Sequence, residues 1–248
     1  MRNNFYFTGN FSNIYRNPSR KSEVTSQIIY GEKFKILTKN KNWIKIKTLF
    51  DNYRGFIKNS KYIEKFSPNY KVSSLKAKIY KKPGIRTKSW LPFASKLSVF
   101  EKNRNYVKID KNKRIKKVDI KKLIHKENNF IKIFKKFLNV KYVWGGKTFQ
   151  GIDCSALLQI FFYYNSSFYP RDTKDQIKYT KKNSKKRKFK KGDIIFWKGH
   201  VAMCLNSKQL IHAYGPKKKV VIMSIIDTIN RIQKTAKLKV KKVSRIKY

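Results

Sequence analysis

The strongest constraint on this chain of 248 residues is a stretch that occurs twice. Lys39-Asn40-Lys41-Asn42-Trp43-Ile44-Lys45-Ile46 returns 63 residues later as Lys102-Asn103-Arg104-Asn105-Tyr106-Val107-Lys108-Ile109. Two further matches keep the same order: Ile14-Tyr15-Arg16-Asn17-Pro18 with Ile79-Tyr80-Lys81-Lys82-Pro83, and Phe34-Lys35-Ile36-Leu37 with Leu97-Ser98-Val99-Phe100. Self-similarity at a near-constant offset means duplicated structural units. Within the first copy, alternating runs (Lys33 to Leu37, Trp43 to Lys47, Arg54 to Lys58) are separated by Asn, Gly and Pro. A period of two broken by turn residues predicts a small antiparallel barrel. Two barrels are expected, over residues 1–66 and 70–124.

After His125 the period changes. Phe130, Ile131, Ile133, Phe134, Phe137 and Leu138 fall at helical spacing, as do Leu157, Leu158, Phe161 and Phe162, so two helices are expected. Beyond Gly192 the alternation returns, predicting strands over Asp193 to Trp197, His200 to Leu205, Gln209 to Tyr214, Val220 to Ile225 and near Leu238 to Ile246. Helices followed by a run of antiparallel strands make an α+β domain over residues 125–248. The fold class is therefore multidomain α+β.

Composition narrows the function classes. Hydrophobic residues at 40% and aromatics at 15% exclude a wholly disordered chain. Lys plus Arg number 62 against 13 Asp plus Glu, a net charge of +49 that favours anionic partners or substrates. Nucleic acid is one such partner, though not the favoured one. The run from Lys178 to Lys191, nine basic residues in fourteen, reads first as a solvated loop and second as an anion-attracting rim. Trp43, Tyr106, Trp90 and Trp197 read as barrel and sheet core, and His125 as a surface residue. The longest apolar stretch, Ala156 to Tyr164, contains Gln159 and is too short to span a bilayer. With no apolar leader after Met1, the expectation is a soluble cytoplasmic protein. Two cysteines, Cys154 and Cys204, without framework spacing fit free thiols in a reducing compartment.

Cys154 follows a glycine-rich turn, Gly145-Gly146 to Gly151, and directly precedes the apolar run, which places its sulfur at a helix N-terminus with Asp153 as N-cap. The positive helix end is expected to lower the thiol pKa from about 8.5 toward roughly 3.5–7.5. A thiol nucleophile needs a base, and the base needs an orienting group. His200 and His212 are the candidates. They lie on strands joined through Asn206-Ser207-Lys208, so Leu205 should face Gln209, residue 202 should face 212, and both rings should share one side as diagonal neighbours. Cys204, inside an apolar strand, reads as core. Cys154, Cys204, His200 and His212 lack zinc-site spacing, so neither a metal nor an organic cofactor is expected.

Tyr142-Val143-Trp144-Gly145-Gly146, Gly151-Ile152-Asp153-Cys154-Ser155, Pro170-Arg171-Asp172-Thr173, Gln176, Lys191-Gly192-Asp193-Ile194-Ile195-Phe196-Trp197, His200-Val201-Ala202-Met203 and Ile211-His212-Ala213 together resemble the NlpC/P60 cysteine peptidases. Residues 26–57 likewise resemble a bacterial SH3-like domain, and the second copy is degenerate, lacking counterparts of Tyr53 and Gly55. The resemblance implies a papain-like fold in permuted order behind two SH3-like barrels, as in γ-D-glutamyl-L-diamino acid endopeptidases. It implies Cys154 as nucleophile, His200 as base, His212 as its orienting partner and Tyr142 as an oxyanion donor. It further implies Asp153 and Tyr53 as holders of a free N-terminal amine on the substrate, with Ser155 and Thr173 as neighbouring substrate contacts. Ala156 and Ala202 stand where the family usually has Gly. The expected partners are peptidoglycan peptides with a free N-terminal L-Ala, in cell-wall turnover or recycling. Two rival readings are a non-catalytic binder of anionic polymer or cell wall, and a thiol amidase or acyltransferase.

Overall fold

The computed structural model describes residues 4–181 and 188–245. Positions 182–187, the middle of the basic run, lie outside the described residues. The chain divides into two compact units, Met1–Lys126 with Tyr163–Asn165, and Glu127–Phe162 with Ser166–Tyr248.

The first unit is strand-rich, and the repeated sequence explains why. In both copies an asparagine side chain closes a hairpin turn: Asn40 Oδ1 accepts from the Asn42 and Trp43 amides at 3.1 and 2.7 Å, and Asn103 Oδ1 accepts from Asn105 and Tyr106 at 3.2 and 2.8 Å. An Asx turn of this kind supplies the bend without a glycine. The strands it launches, Trp43–Thr48 and Tyr106–Asp110, pair antiparallel with Arg54–Lys58 and Lys113–Lys116. The first copy forms one seven-stranded sheet over a core of Phe7, Ile14, Ile28, Phe34, Ile44, Ile46 and Ile57. The second divides into five- and three-stranded sheets around residues that include Val72, Ile79, Leu91, Val107 and Ile115. In the first copy Gly55 lies with its backbone against Ile14 and the Tyr15 carbonyl, where a Cβ would collide.

The aromatic expectation holds only in part. Trp197 is buried at 1% exposure, but Trp43 and Trp90 are half-exposed. Trp43 meets the edge of Tyr15 at 5.3 Å, and Tyr80 and Tyr106 repeat that pair at 5.0 Å in the second copy. Trp90 carries the ammonium groups of Lys76 and Lys78 at 4.6 and 4.3 Å, so cations instead of core cover its face.

The second unit centres on a five-stranded antiparallel sheet, in the order Lys219–Ser224, Gln209–Tyr214, His200–Cys204, Asp193–Trp197, Lys242–Arg245. Among the described residues four α-helices accompany it where the periodicity predicts two: α1 (Phe130–Lys136), α2 (Cys154–Tyr164, its last two residues belonging to the first unit), α3 (Thr173–Tyr179) and α4 (Ile225–Ala236). All eleven residues of α2 are buried, as an all-round apolar helix requires. The additional helix α4 starts where Ser224 Oγ accepts from the Asp227 amide at 3.3 Å, and it buries Ile225, Thr228 and Ile232. Its helical spacing is present in the sequence, but the alternating residues before it run straight into Ile225 and hide its start. The last strand is shorter than expected and pairs with Asp193–Trp197 from Asp193↔Arg245 to Phe196↔Lys242. Among the described residues no helix is long and apolar enough to cross a membrane.

Candidate active site

Cys154 is the first residue of α2, and the turn before it is held by close backbone approach. A Cβ on Gly151 would run into the Val143 side chain, and one on Gly146 would meet the Gly151 and Val143 carbonyls. That approach delivers Asp153 to the helix end, where its Oδ1 accepts from the Ala156 amide at 2.8 Å, the N-cap geometry the sequence predicts.

The cap is also half of a buried ion pair. Arg171 donates through Nη1 to Asp153 Oδ1 at 3.0 Å and through Nη2 to Oδ2 at 2.7 Å, with side-chain exposures of 2% and 7% for Arg171 and Asp153. Oδ2 also accepts from the Gly145 amide at 3.0 Å and Oδ1 from Ser155 Oγ at 3.1 Å, while Ser155 Oγ accepts from Arg171 at 2.9 Å. Five donors fill the lone pairs of one carboxylate. Asp153 and Ser155 are therefore tied into the turn, Asp153 through five donors and Ser155 Oγ through one bond given and one accepted. Gln176, on α3, adds two 2.9 Å bonds to the Ser155 and Pro170 carbonyls.

The neighbouring acid is different. Asp172 precedes α3 and its carboxylate makes no capping bond. Burial, ahead of its charged neighbours, holds its pKa above the usual carboxylate value. Arg171 and Asp172 both lie in the Pro170-Arg171-Asp172-Thr173 motif, and local pattern alone could not assign them these opposite occupations.

Thr173 turns its hydroxyl to the Cys154 sulfur, and so does the Val201 amide. The thiol points to the Gly199 carbonyl at 4.0 Å. Backbone groups on either side of His200 thus touch the sulfur. His200 Nε2 stands 2.9 Å from His212 Nδ1, and the strands beneath them have the register the three-residue connection demands, Met203↔Ile211 and Cys204↔Leu210. Tyr214 stacks on His212 at 4.6 Å and 11°. Tyr142 is near enough to Cys154 and Asp153 for their charges, after burial, to raise its pKa, so its hydroxyl keeps its proton and remains a donor. Tyr53 belongs to the first unit, where its hydroxyl donates to the Thr25 carbonyl at 3.3 Å. Cys204 is fully buried. Among the described residues no group of three His, Cys, Asp or Glu could hold a metal.

The electrostatics correct one expectation. Burial, then the Asp153 charge, pushes the Cys154 thiol up to about 11, against the Val201 amide, the Thr173 hydroxyl and Arg171. Burial holds His200 down at about 4, and burial with the His200 ring holds His212 well below its ordinary value. The helix terminus and two donors favour the anion, but loss of water costs more. With 5% of its surface exposed, Cys154 is favoured as a thiol, and burial likewise favours the neutral forms of His200 and His212.

A stability profile follows from these shifts. Unfolded histidine binds a proton from pH about 6.5 and folded His200 only from about 4, so stability should be lost as pH falls through that window. Unfolded cysteine loses its proton near 9, folded Cys154 near 11 and folded Cys204 near 12, so stability should also fall as pH rises past 9. Urea midpoints measured from pH 4 to 11 should peak between about 7 and 8.5. A flat profile below pH 7 would mean the imidazoles are not buried neutral.

Comparison with known proteins agrees with this architecture. Residues 139–238 match the model of the NlpC/P60 family, and residues 14–61 match the bacterial dipeptidyl-peptidase SH3 domain. The chain is 24% identical to the gamma-D-glutamyl-L-lysine dipeptidyl-peptidase of Bacillus subtilis over 83% of this chain and 77% of that protein. It is 32% identical to dipeptidyl-peptidase 6 of Lysinibacillus sphaericus over 34% of this chain and 31% of that one. The crystal structure of an NlpC/P60 family protein from Bacillus cereus superposes with a TM-score of 0.82 over 98% of this chain and 99% of that one, at 17% identity. Residues 139–238 are therefore an NlpC/P60 domain, following in sequence a bacterial SH3 domain of the dipeptidyl-peptidase type over residues 14–61.

Proposed function

We propose that this protein is a thiol peptidase that hydrolyses the γ-D-glutamyl to diamino acid bond of peptidoglycan-derived peptides, preferring those with a free N-terminal L-Ala. The carrying observation is a sulfur at the start of α2, touched by the backbone flanking His200, which in turn is 2.9 Å from His212. In this reading His200 takes the thiol proton as Cys154 attacks the carbonyl, and returns it to the leaving amine. Tyr142 donates its hydroxyl to the developing oxyanion, worth a few kcal/mol when preorganised. Water then releases the acyl group from sulfur. The B. subtilis relative's name supports the choice of bond.

For the substrate amine we infer a contact with Asp172 ahead of Asp153: Asp153 already accepts five bonds, two of them from Arg171, whereas Asp172 makes no capping bond and sits next to Thr173, whose hydroxyl reaches the sulfur. An ammonium group would add to the Arg171 and Lys174 charges that already oppose the effect of burial on the Asp172 carboxyl. Acetylating the amine of L-Ala-γ-D-Glu-L-Lys should then lower kcat/KM by at least about a hundredfold, because a site built for a polar group rejects the analogue lacking it. Asp172→Asn should erase most of that difference. Equal turnover of the two peptides would end the amine gauge, and failure to cleave either would end the peptide assignment.

A further inference from the structure

The relay does not stop at His212. Its second ring nitrogen, Nε2, lies 3.4 Å from the sulfur of Met223. The register produces this contact: Leu210↔Met223 and His212↔Val221 put Met223 diagonal to His212 on the same side of the sheet. Met223 is itself packed, half-buried, against the core that includes Leu210 and Tyr214.

A thioether can accept a hydrogen bond but has no proton to donate. Placed against His212 Nε2, it favours the tautomer that carries hydrogen there and opposes the one that turns a nitrogen lone pair toward sulfur lone pairs. The consequence propagates. With hydrogen on Nε2, His212 Nδ1 is an acceptor, so the 2.9 Å contact must be filled by hydrogen on His200 Nε2. His200 Nδ1 then keeps its lone pair, the only state in which a neutral His200 can accept a proton from a thiol. The opposite assignment would leave His200 with hydrogen on Nδ1 and no basic nitrogen to offer.

We propose that Met223 is a positioning residue whose thioether sets the tautomer of His212 and, through it, makes His200 the proton acceptor. This rests on the reading of His200 as the base. Charge is not the means, since both imidazoles rest neutral. The effect is one of direction: an acceptor-only group at one end of a chain of hydrogen bonds orients every proton in it.

The test uses the full chain with 15N-labelled histidine and reads ring tautomers from two-bond 1H–15N couplings. Hydrogen on Nε2 of both His200 and His212 is expected. Met223→Leu, close in volume but without an acceptor, should populate the other His212 tautomer. It should also slow iodoacetamide alkylation at Cys154, followed by peptide mapping, by roughly two- to tenfold, the reciprocal of the competent fraction. Met223→Gln, whose carbonyl oxygen accepts, should restore both, and melting curves should show all three proteins folded. Hydrogen on Nδ1 of His212 in the unaltered protein would overturn the proposal, even if the variants fail to fold. So would a Leu variant with unchanged tautomers and alkylation rate. Neither readout involves peptide cleavage, so a wrong substrate would leave the role of Met223 unaffected.

Discussion

Cys154→Ala should reduce hydrolysis of γ-D-glutamyl-linked peptides by at least about a thousandfold, the scale lost when a covalent nucleophile is removed from a cooperating set. The protein should remain folded, because the change deletes one sulfur beside a small cavity lined by Phe134, Leu157, Val201 and Met203 at a cost of about 1 kcal/mol. His200→Ala should cost about as much activity, and the double variant little more, since the two act as one unit. Cys204→Ala is the control: that thiol is fully buried in the core cluster that also holds Ile195 and Leu210, so its loss should leave kcat near that of the unaltered protein. Turnover by Cys154→Ala within tenfold of the parent would remove the covalent mechanism, while loss of activity in Cys204→Ala alone would point to the wrong thiol.

The second large effect is on stability. Arg171→Met should lower it by about 3–5 kcal/mol, because the Asp153 carboxylate would stay buried at the helix end without its cation. Against a total of roughly 5–15 kcal/mol this is a severe loss, and the melting temperature should drop by about 10 °C or more. Activity should fall in the surviving folded fraction too, since the same carboxylate caps the helix that presents Cys154. Replacing both charges, with Asp153→Asn added to Arg171→Met, should recover part of the stability, because the neutral amide carries no unpaired charge into the interior. A thermal melt of Arg171→Met within about 2 °C of the parent would show that solvent reaches the pair and that it is not the keystone of the turn.

The duplicated turn and the histidine register show what local chemistry makes legible. Asn40 and Asn103 bend the chain with their own side chains, so the repeat can be read without reference to any distant partner. His200 and His212 are set by the period of two and the length of one hairpin loop. Cys154 can be placed on a helix start because Asp153, the glycines and the apolar run are contiguous. The helix α4 also has its local signals, Ser224 as cap and Ile225, Ile229 and Ile232 at helical spacing, but alternating residues before it mask its start.

The pairing of Asp153 with Arg171, the uncapped carboxylate of Asp172, the thioether behind His212 and the protonation of Cys154 are beyond local pattern. Each depends on which groups are brought together across a long separation and how much water remains between them. A carboxylate reads the same in sequence whether a guanidinium pairs with it or burial raises its pKa, and a helix terminus lowers a thiol pKa only while desolvation does not outweigh it. The sequence by itself determined the repeat, the strand register, the capped helix and the positions of Cys154, His200 and His212 on their elements, because these follow from short-range sterics and hydrogen bonding. Only the tertiary structure decided which charges are neutralised, which remain open and which way the protons point, because those are set by burial, and burial is a property of the folded whole.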